Sequence, residues 1–370
     1  MSISPEFLSE LYDRVLELAR KGWGTTHPNP MVGALIVEKG EVVAEGFHQK
    51  SGGPHAEVEA LNSLGRQPSP DASIIISLEP CSTHGKTPPC TDAILHSGIQ
   101  TVYVAGLDPN PRHAGNGIEI LREKGLNVEL ASPDVQERAG RLNFIFNHNM
   151  QTGRPMIALK LAESANGKLA DEAGRPSPVT ESEARADMMH WRRLFPAICV
   201  GSGTVLADNP SLTARLPGET FCPVRLVVDA DLSTFDPKVS DRSLYTDEFA
   251  KKTQVLTTSI GLAQKPRVSC AQELGISLIQ TEACPRGRVL TLSLPQVLDQ
   301  IGLNGVYCEG GARFAESLLE EGLADYLFRY QSPREFLGPR SVSSPIPKKL
   351  RLRDPIELEL GPDRLTHGYL

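Results

Sequence analysis

Residues 73–80 read SIIISLEP, an almost continuous apolar run of β-branched residues. A strand of that kind is buried on both faces, so the sheet that contains it has to be covered from both sides. The surrounding sequence alternates accordingly. Ahead of the run, Leu8, Leu11, Tyr12, Val15, Leu18 and Ala19 recur at three- and four-residue steps, with Ser4 to cap, Pro5 suited to a first turn and Gly22 at the stop. VGALIV and VVAEGFH, joined by EKGE, have the pattern of a hairpin, and AEVEALNSLG that of a helix. After the run come a helix opening at Pro89 through CTDAILHSG, a strand TVYVAGL, a helix GIEILREKG and a strand NVELA. This order predicts a layered α/β domain over residues 1–150.

QTGRP, with Gly153 and Pro155, reads as a short connection. Beyond it lie strand candidates MIALKLA, AICVG, VRLVVDA, TQVLTT, ISLIQ, GVYCEGG and YLFRYQ, with a helix ARFAESLLEEG between the last two. A second α/β domain over residues 151–370 follows. Residues 338–356, rich in Pro, Ser and basic side chains, read as loop, and nothing repeats at a fixed period.

At 370 residues the chain is too long for one ordinary core, and its formal charge of −7 provides no basic field of the kind nucleic-acid binding requires. The expected partner is a small molecule. Seven cysteines, an odd number scattered along a long chain, argue for a reducing compartment rather than a disulfide framework. The first residues carry acids and no uninterrupted apolar core, so they do not read as a signal peptide, and no apolar run is long enough to span a membrane. A cytoplasmic homo-oligomer without nucleic-acid or membrane partners is the expectation.

GGPHAEVEA places His55 two residues before Glu57, and LEPCSTHGKTPPCTD then supplies Cys81 and Cys90. Two thiolates and an imidazole are the three protein ligands of a catalytic zinc whose fourth position is kept for water. Cys90, expected in the first turn of a helix, gains from the positive end of the helix dipole, which favours a thiolate. Glu57 is then the proton carrier beside the water. The alternatives are a structural zinc closed by His48 or His84, or two reduced core cysteines without metal.

His-Ala-Glu with Pro-Cys…Cys resembles the zinc-dependent cytidine-deaminase-like signature. The eight residues STHGKTPP between the cysteines, with THPNPMVGALIV and LDPNP, make residues 8–148 similar to the deaminases of riboflavin biosynthesis. That resemblance implies a three-layer αβα fold, one Zn2+ per chain, and hydrolytic deamination of a pyrimidine carrying a ribosylamino 5′-phosphate. Asn29, His48, Lys86, Asp108 and Asn110 fall in matching motifs and are the implied substrate contacts.

In that family the deaminase is commonly fused to a dihydrofolate-reductase-like α/β domain that uses NADPH to open the ribose to a ribityl chain. LKLAESANGKLA, GSGTVLADNPSLTAR and VYCEGGARFAESLL resemble its motifs. They imply substrate contacts at Lys160, Arg192, Leu212, Arg215 and Glu309, and cofactor contacts at Ala162, Thr204, Asp208, Gly310 and Gly311. GSG at 201–203 lacks the third glycine of a Rossmann fingerprint. The chain departs from the family pattern where it reads Ser164-Ala165-Asn166-Gly167, where Pro176-Ser177-Pro178-Val179-Thr180 lacks the usual Trp, and at YQSPREFLG. Three readings stand at this point: a bifunctional deaminase and reductase, a deaminase with a degenerate reductase-like partner domain, and a zinc-stabilised nucleotide-binding module.

Overall fold

The computed structural model describes residues 3–83, 88–111, 113–236, 242–347 and 349–370. The chain divides into two compact units, Met1–Arg154 and Pro155–Leu370.

In the first unit, α1 (Pro5–Arg20) starts where Ser4 Oγ accepts from Phe7 N at 3.3 Å. It ends on Lys21 rather than at Gly22. β1 (Gly33–Glu38) and β2 (Glu41–Phe47) form the hairpin, turning through Lys39 and Gly40, both at positive φ. Then follow α2 (Ala56–Leu64), β3 (Ser73–Ile76), α3 (Cys90–Ser97), β4 (Thr101–Val104), α4 (Asn116–Glu123), β5 (Asn127–Leu130), α5 (Pro133–Leu142) and α6 (Phe144–Thr152). α5 carries a start signal in Ser132-Pro133 and buries Val135, Ala139 and Leu142 on one face, whereas α6 has no one-sided apolar stripe. The sheet order is β2-β1-β3-β4-β5, with β1 antiparallel to both neighbours and β3, β4 and β5 parallel.

Two-residue alternation along the strands explains the three layers. Ala34, Ile36, Ile74, Ile76, Val102 and Val104 share one core with Ala56, Ala60, Ile94, Ile118 and Leu121 of α2, α3 and α4. Leu35 and Ile75, equally buried, lie on the opposite face, where α1 packs. A Cβ on Gly46 would sit 2.3 Å from Ala60 N and 2.6 Å from Ala56 O. Only glycine lets α2 lie that close to β2.

In the second unit the elements are β6 (Met156–Glu163), β7 (Lys168–Ala170), α7 (Ser182–Leu194), β8 (Ala197–Gly201), α8 (Ser202–Asp208), β9 (Ala214–Leu216), β10 (Glu219–Phe221) and β11 (Val224–Val228). They continue with α9 (Ser243–Thr246), β12 (Thr253–Thr257), α10 (Ser259–Leu262), α11 (Lys265–Glu273), β13 (Ser277–Gln280), α12 (Leu294–Gln300), β14 (Gly305–Cys308) and α13 (Ala312–Glu320). β15 (Tyr326–Gln331), β16 (Val342–Ser343), β17 (Arg353–Leu360) and β18 (Asp363–Tyr369) complete the chain. Nine strands form one sheet in the order β13-β12-β11-β8-β14-β6-β15-β18-β17. Its first seven strands are parallel, and the β17–β18 hairpin closes it antiparallel.

The expectation that residues 338–356 are all loop is corrected in part. β16 lies within the segment, and β17 begins at Arg353. β17 is mostly exposed, and its alternating Ile356, Leu358 and Leu360 follow directly on the charged and Pro-rich stretch through Arg353, Asp354 and Pro355, which masked the strand. None of the described helices is long and apolar enough to cross a membrane.

Candidate active sites

Strand register gathers the predicted residues of the first unit at one edge of its sheet. Gly33 is opposite Phe47 in β2, Ala34 opposite Ile76 in β3, and Ile76 opposite Val104 in β4. The chain entering β1 and the chains leaving β2, β3 and β4 therefore emerge side by side, and they carry Asn29, His48, Cys81 and Asp108. His55 caps α2 in extended conformation, Glu57 lies in that helix's first turn, and Cys90 opens α3.

His55 Nδ1 lies 3.2 Å from Cys90 Sγ and 3.5 Å from Cys81 Sγ, and all three donor atoms fall within 4.8 Å of one another. These separations are close to those between corners of a tetrahedron with bonds of about 2.0–2.3 Å, so the donor set fits zinc in size and chemistry. Among the described residues no fourth His, Cys, Asp or Glu joins the group. His48 is committed elsewhere: Nδ1 donates to Pro54 O at 2.9 Å, and Nε2 accepts from Asn29 Nδ2 at 3.2 Å. Burial holds its pKa down, in keeping with a neutral ring, which stands edge-on to His55 with centroids 5.4 Å apart. His84 and Lys86 lie outside the described residues.

The Cys81 thiol is brought down to about 4, first by its hydrogen bond with the Cys90 thiol, with His55 and the Cys90 amide adding to it. Cys90 N donates to Cys81 Sγ at 3.3 Å, so the start of α3 stabilises a sulfur anion directly. Glu57 is only 3 % exposed, and burial pushes its carboxyl up to about 6. It also hydrogen-bonds the Cys90 thiol, which puts a carboxyl of near-neutral pKa beside the donor trio.

Glu79 was not picked out by the motif. Its carboxylate is buried and accepts from Asp108 N at 3.1 Å, Gly115 N at 2.9 Å and Gly117 N at 2.8 Å. Asp108 Oδ1 in turn accepts from Asn110 N at 2.8 Å. Glu79 thus shapes the loop that bears both predicted contacts, two residues before a predicted ligand. The available signal was an acid at the end of a wholly buried strand, where an unpaired charge is costly.

In the second unit β6, β8 and β14 are adjacent and parallel, with Cys308 opposite both Cys199 and Leu159. Beside them Lys160 reaches Glu309 and feels the charge of Asp208, and Gly311 lies next to Thr204, while Ala162, near the end of β6, pairs with Tyr330 of β15; the carboxyl ends of such strands are the usual place for ligands in open α/β sheets. Arg192 of α7 reaches Glu309 there, with Nε at 2.5 Å from Oε1 and Nη2 at 2.9 Å from Oε2, while Lys160 Nζ lies 3.7 Å from Oε2. Lys160 and Arg192 are therefore joined on one carboxylate. Burial raises the Glu309 pKa, but the two cations outweigh it and hold the carboxyl down to about 2. Burial lowers the Lys160 pKa, with Glu309 opposing.

Arg215 is more exposed and donates to Ser211 Oγ at 2.8 Å, while Leu212 is buried at φ 52. α8 and α13 both begin without a capping side chain, and a Cβ on Gly311 would lie 3.4 Å from Thr204 Oγ1. Backbone N–H groups at two neighbouring helix starts fit the phosphates of a dinucleotide.

The departing segments are tied to each other. Asn166 Nδ2 donates to Phe336 O at 2.8 Å, Phe336 N returns to Asn166 Oδ1 at 3.2 Å, and Ala165 N donates to Arg334 O at 2.7 Å. Arg334 also pairs with Glu181. The altered residues form a braced structure in place of the family's pattern.

Residues 5–106 match the cytidine and deoxycytidylate deaminase zinc-binding region, and residues 155–362 match the RibD C-terminal domain. The chain is 39 % identical over 327 residues to the riboflavin biosynthesis protein RibD of Bacillus amyloliquefaciens, covering 88 % of this chain and 85 % of that one. Against RibD of Escherichia coli it is 35 % identical over 333 residues, covering 87 % and 86 %. Among solved structures, Acinetobacter baumannii RibD superposes with TM-score 0.80 at 31 % identity over 99 % of both chains. A Thermotoga maritima diaminohydroxyphosphoribosylaminopyrimidine deaminase/5-amino-6-(5-phosphoribosylamino)uracil reductase superposes with TM-score 0.80 at 30 % identity over 98 % of both. With both units matched in order and along nearly their whole length, this chain belongs to the RibD family of riboflavin biosynthesis proteins.

Proposed function

We propose that the first unit hydrolyses the ring amine of 2,5-diamino-6-(5-phosphoribosylamino)pyrimidin-4-one, and that the second reduces the resulting 5-amino-6-(5-phosphoribosylamino)uracil with NADPH to the ribityl compound. The protein is a zinc-binding deaminase and a reductase of riboflavin biosynthesis, as its family is. The observation that carries the deaminase assignment is the meeting of His55, Cys81 and Cys90 with the buried carboxyl of Glu57.

His55, Cys81 and Cys90 hold the metal. Zinc in that position supplies a water acidic enough to attack at neutral pH. Glu57 takes a proton and delivers it to the ring and to the departing amine, a task suited to a carboxyl near neutrality. Asn29 and His48 form one hydrogen-bonded pair beside the trio, and Asp108 and Asn110, set by Glu79, provide the other polar wall for the pyrimidine.

In the reductase unit Glu309 fixes the heads of Lys160 and Arg192, and Arg215 stands at the outer side for the phosphate. Thr204, Asp208, Ala162 and the Gly310-Gly311 start of α13 receive NADPH. The assembled Lys160–Glu309–Arg192 group supports an active reductase over a degenerate one. All seven cysteines are free, in keeping with work in the cytoplasm. A homo-oligomer remains part of the proposal and is read by light scattering. The test of the function is a coupled assay with the diaminopyrimidine ribosyl phosphate, following ammonia and NADPH separately. Ammonia release without NADPH oxidation removes the second activity, and neither signal removes both.

A further inference from the structure

The guanidinium of Arg225, inside β11, is completely buried. A charge so placed is tolerable only if its protons are bonded, and all five N–H groups of Arg225 are. Nε donates to Thr253 Oγ1 at 2.9 Å. Nη1 donates to Asp247 Oδ2 at 2.6 Å and to Ser211 O at 3.0 Å. Nη2 donates to Asp247 Oδ1 at 2.8 Å and to Leu244 O at 2.9 Å.

Asp247 alone would neutralise the charge. The bond to Ser211 O does something else, because Ser211 belongs to a turn whose backbone is unfavourable. Asn209 sits at φ 42 and Leu212 at φ 52, and for a leucine with a Cβ that region is a steric penalty. A strained conformation persists only where its surroundings fix it. Here they do so from both ends: Ser243 N donates to Asn209 Oδ1 at 2.9 Å, and Arg225 holds Ser211 O. On the far side of Leu212, Thr213 O accepts from Arg192 Nη1 at 3.0 Å. A continuous line of hydrogen bonds and backbone thus runs from Asp247 through Arg225, Ser211 and Thr213 to Arg192 and Glu309.

We infer that Arg225 is a positioning residue of the reductase, holding the Asn209–Thr213 turn so that Leu212 faces the substrate and Arg192 stays aligned on Glu309; this rests on the reading of the second unit as a reductase. Lysine cannot replace it, since an ammonium has three donors on a shorter reach and no planar fork. Of the proposed cofactor contacts, Thr204, Gly310 and Gly311 lie at the starts of α8 and α13 and only Asp208 borders this turn, so the larger effect falls on the pyrimidine substrate rather than on NADPH.

The test uses the full-length protein with Arg225→Lys, Asp247→Asn and Thr253→Val, and ammonia release by the first unit reports intact enzyme. In Arg225→Lys the KM for the ribosylaminouracil phosphate rises about tenfold or more, the scale of losing one hydrogen bond from a charged donor, while the KM for NADPH rises by clearly less. Asp247→Asn keeps the arginine but loosens it and shows a smaller rise in the same KM, which decides the matter should the lysine variant not fold. Thr253→Val removes a partner but leaves the Ser211 bond; its melting temperature falls and its KM stays. A purely structural role predicts fewer active molecules with every KM unchanged, and that result in Arg225→Lys and Asp247→Asn overturns the inference, as does an equal KM rise in Thr253→Val. A wild type that oxidises no NADPH overturns the reductase reading and this inference with it, whereas a working wild type whose variants keep their KM overturns the inference alone.

Discussion

Arg192 and Glu309 meet as a forked pair, Nε on Oε1 and Nη2 on Oε2, although they are 117 residues apart in the chain. With Lys160 on the same carboxylate, two cations are brought together in a largely buried place where neither could stand alone.

Acid stability follows from that pair. The folded-state pKa of Glu309 lies at about 2, below its ordinary value, so its contribution is fully present above the usual carboxylate range and is lost as pH falls toward 2. Thermal melts between pH 6 and pH 2 should show the wild type losing more stability through that window than Glu309→Gln, which starts lower and changes less. Parallel curves would contradict the placement of the charge.

One zinc per chain is expected, held by His55, Cys81 and Cys90. Elemental analysis of Cys90→Ser, Cys81→Ser and His55→Ala should each show metal loss together with loss of ammonia release. Full zinc content in all three would defeat the assignment.

Glu57→Gln should keep zinc and fold while ammonia release falls by about two to four orders of magnitude, because the amide is nearly isosteric but carries no transferable proton. Retention of most of the activity in the zinc-loaded variant would assign the proton transfer to another group.

Packing at Gly46 links stability to the metal site. A Cβ there collides with the backbone of α2, which has no side-chain end to move aside. Gly46→Ala should cost about 1–3 kcal/mol in denaturant unfolding, with weakened zinc binding, since α2 carries His55 at its start. Unchanged unfolding would show that α2 can lift without penalty.

Pro178 stands where the family resemblance expects a Trp, and the resemblance implies that this Trp offers a flat apolar surface to the cofactor. NADPH should bind saturably, and Pro178→Trp should tighten the dissociation constant measured by fluorescence titration. No saturable binding to the folded wild type would favour the degenerate-domain reading.

The sequence by itself determined what local pattern and chemistry can carry. SIIIS could only be a buried strand, the GALIVEKGEVVAEGF hairpin was written in its turn, and His-Ala-Glu with the two cysteines named a metal and a proton carrier. What only the tertiary structure decided depends on groups far apart in the chain. Glu79 becomes the organiser of the Asp108 loop, Asn29 hydrogen-bonds His48, and Arg225 reaches Ser211 through the interior. Of the elements missed, α5 has Pro133 in its first turn with Val135, Ala139 and Leu142 on one face, and β17 alternates Ile356, Leu358 and Leu360, so both were legible, whereas α6 has no one-sided apolar stripe and packing holds it in place. Periodicity reports which face of an element is buried, but a carboxylate's partner is set by which loops the sheet register brings to one edge, and no spacing in the sequence records that.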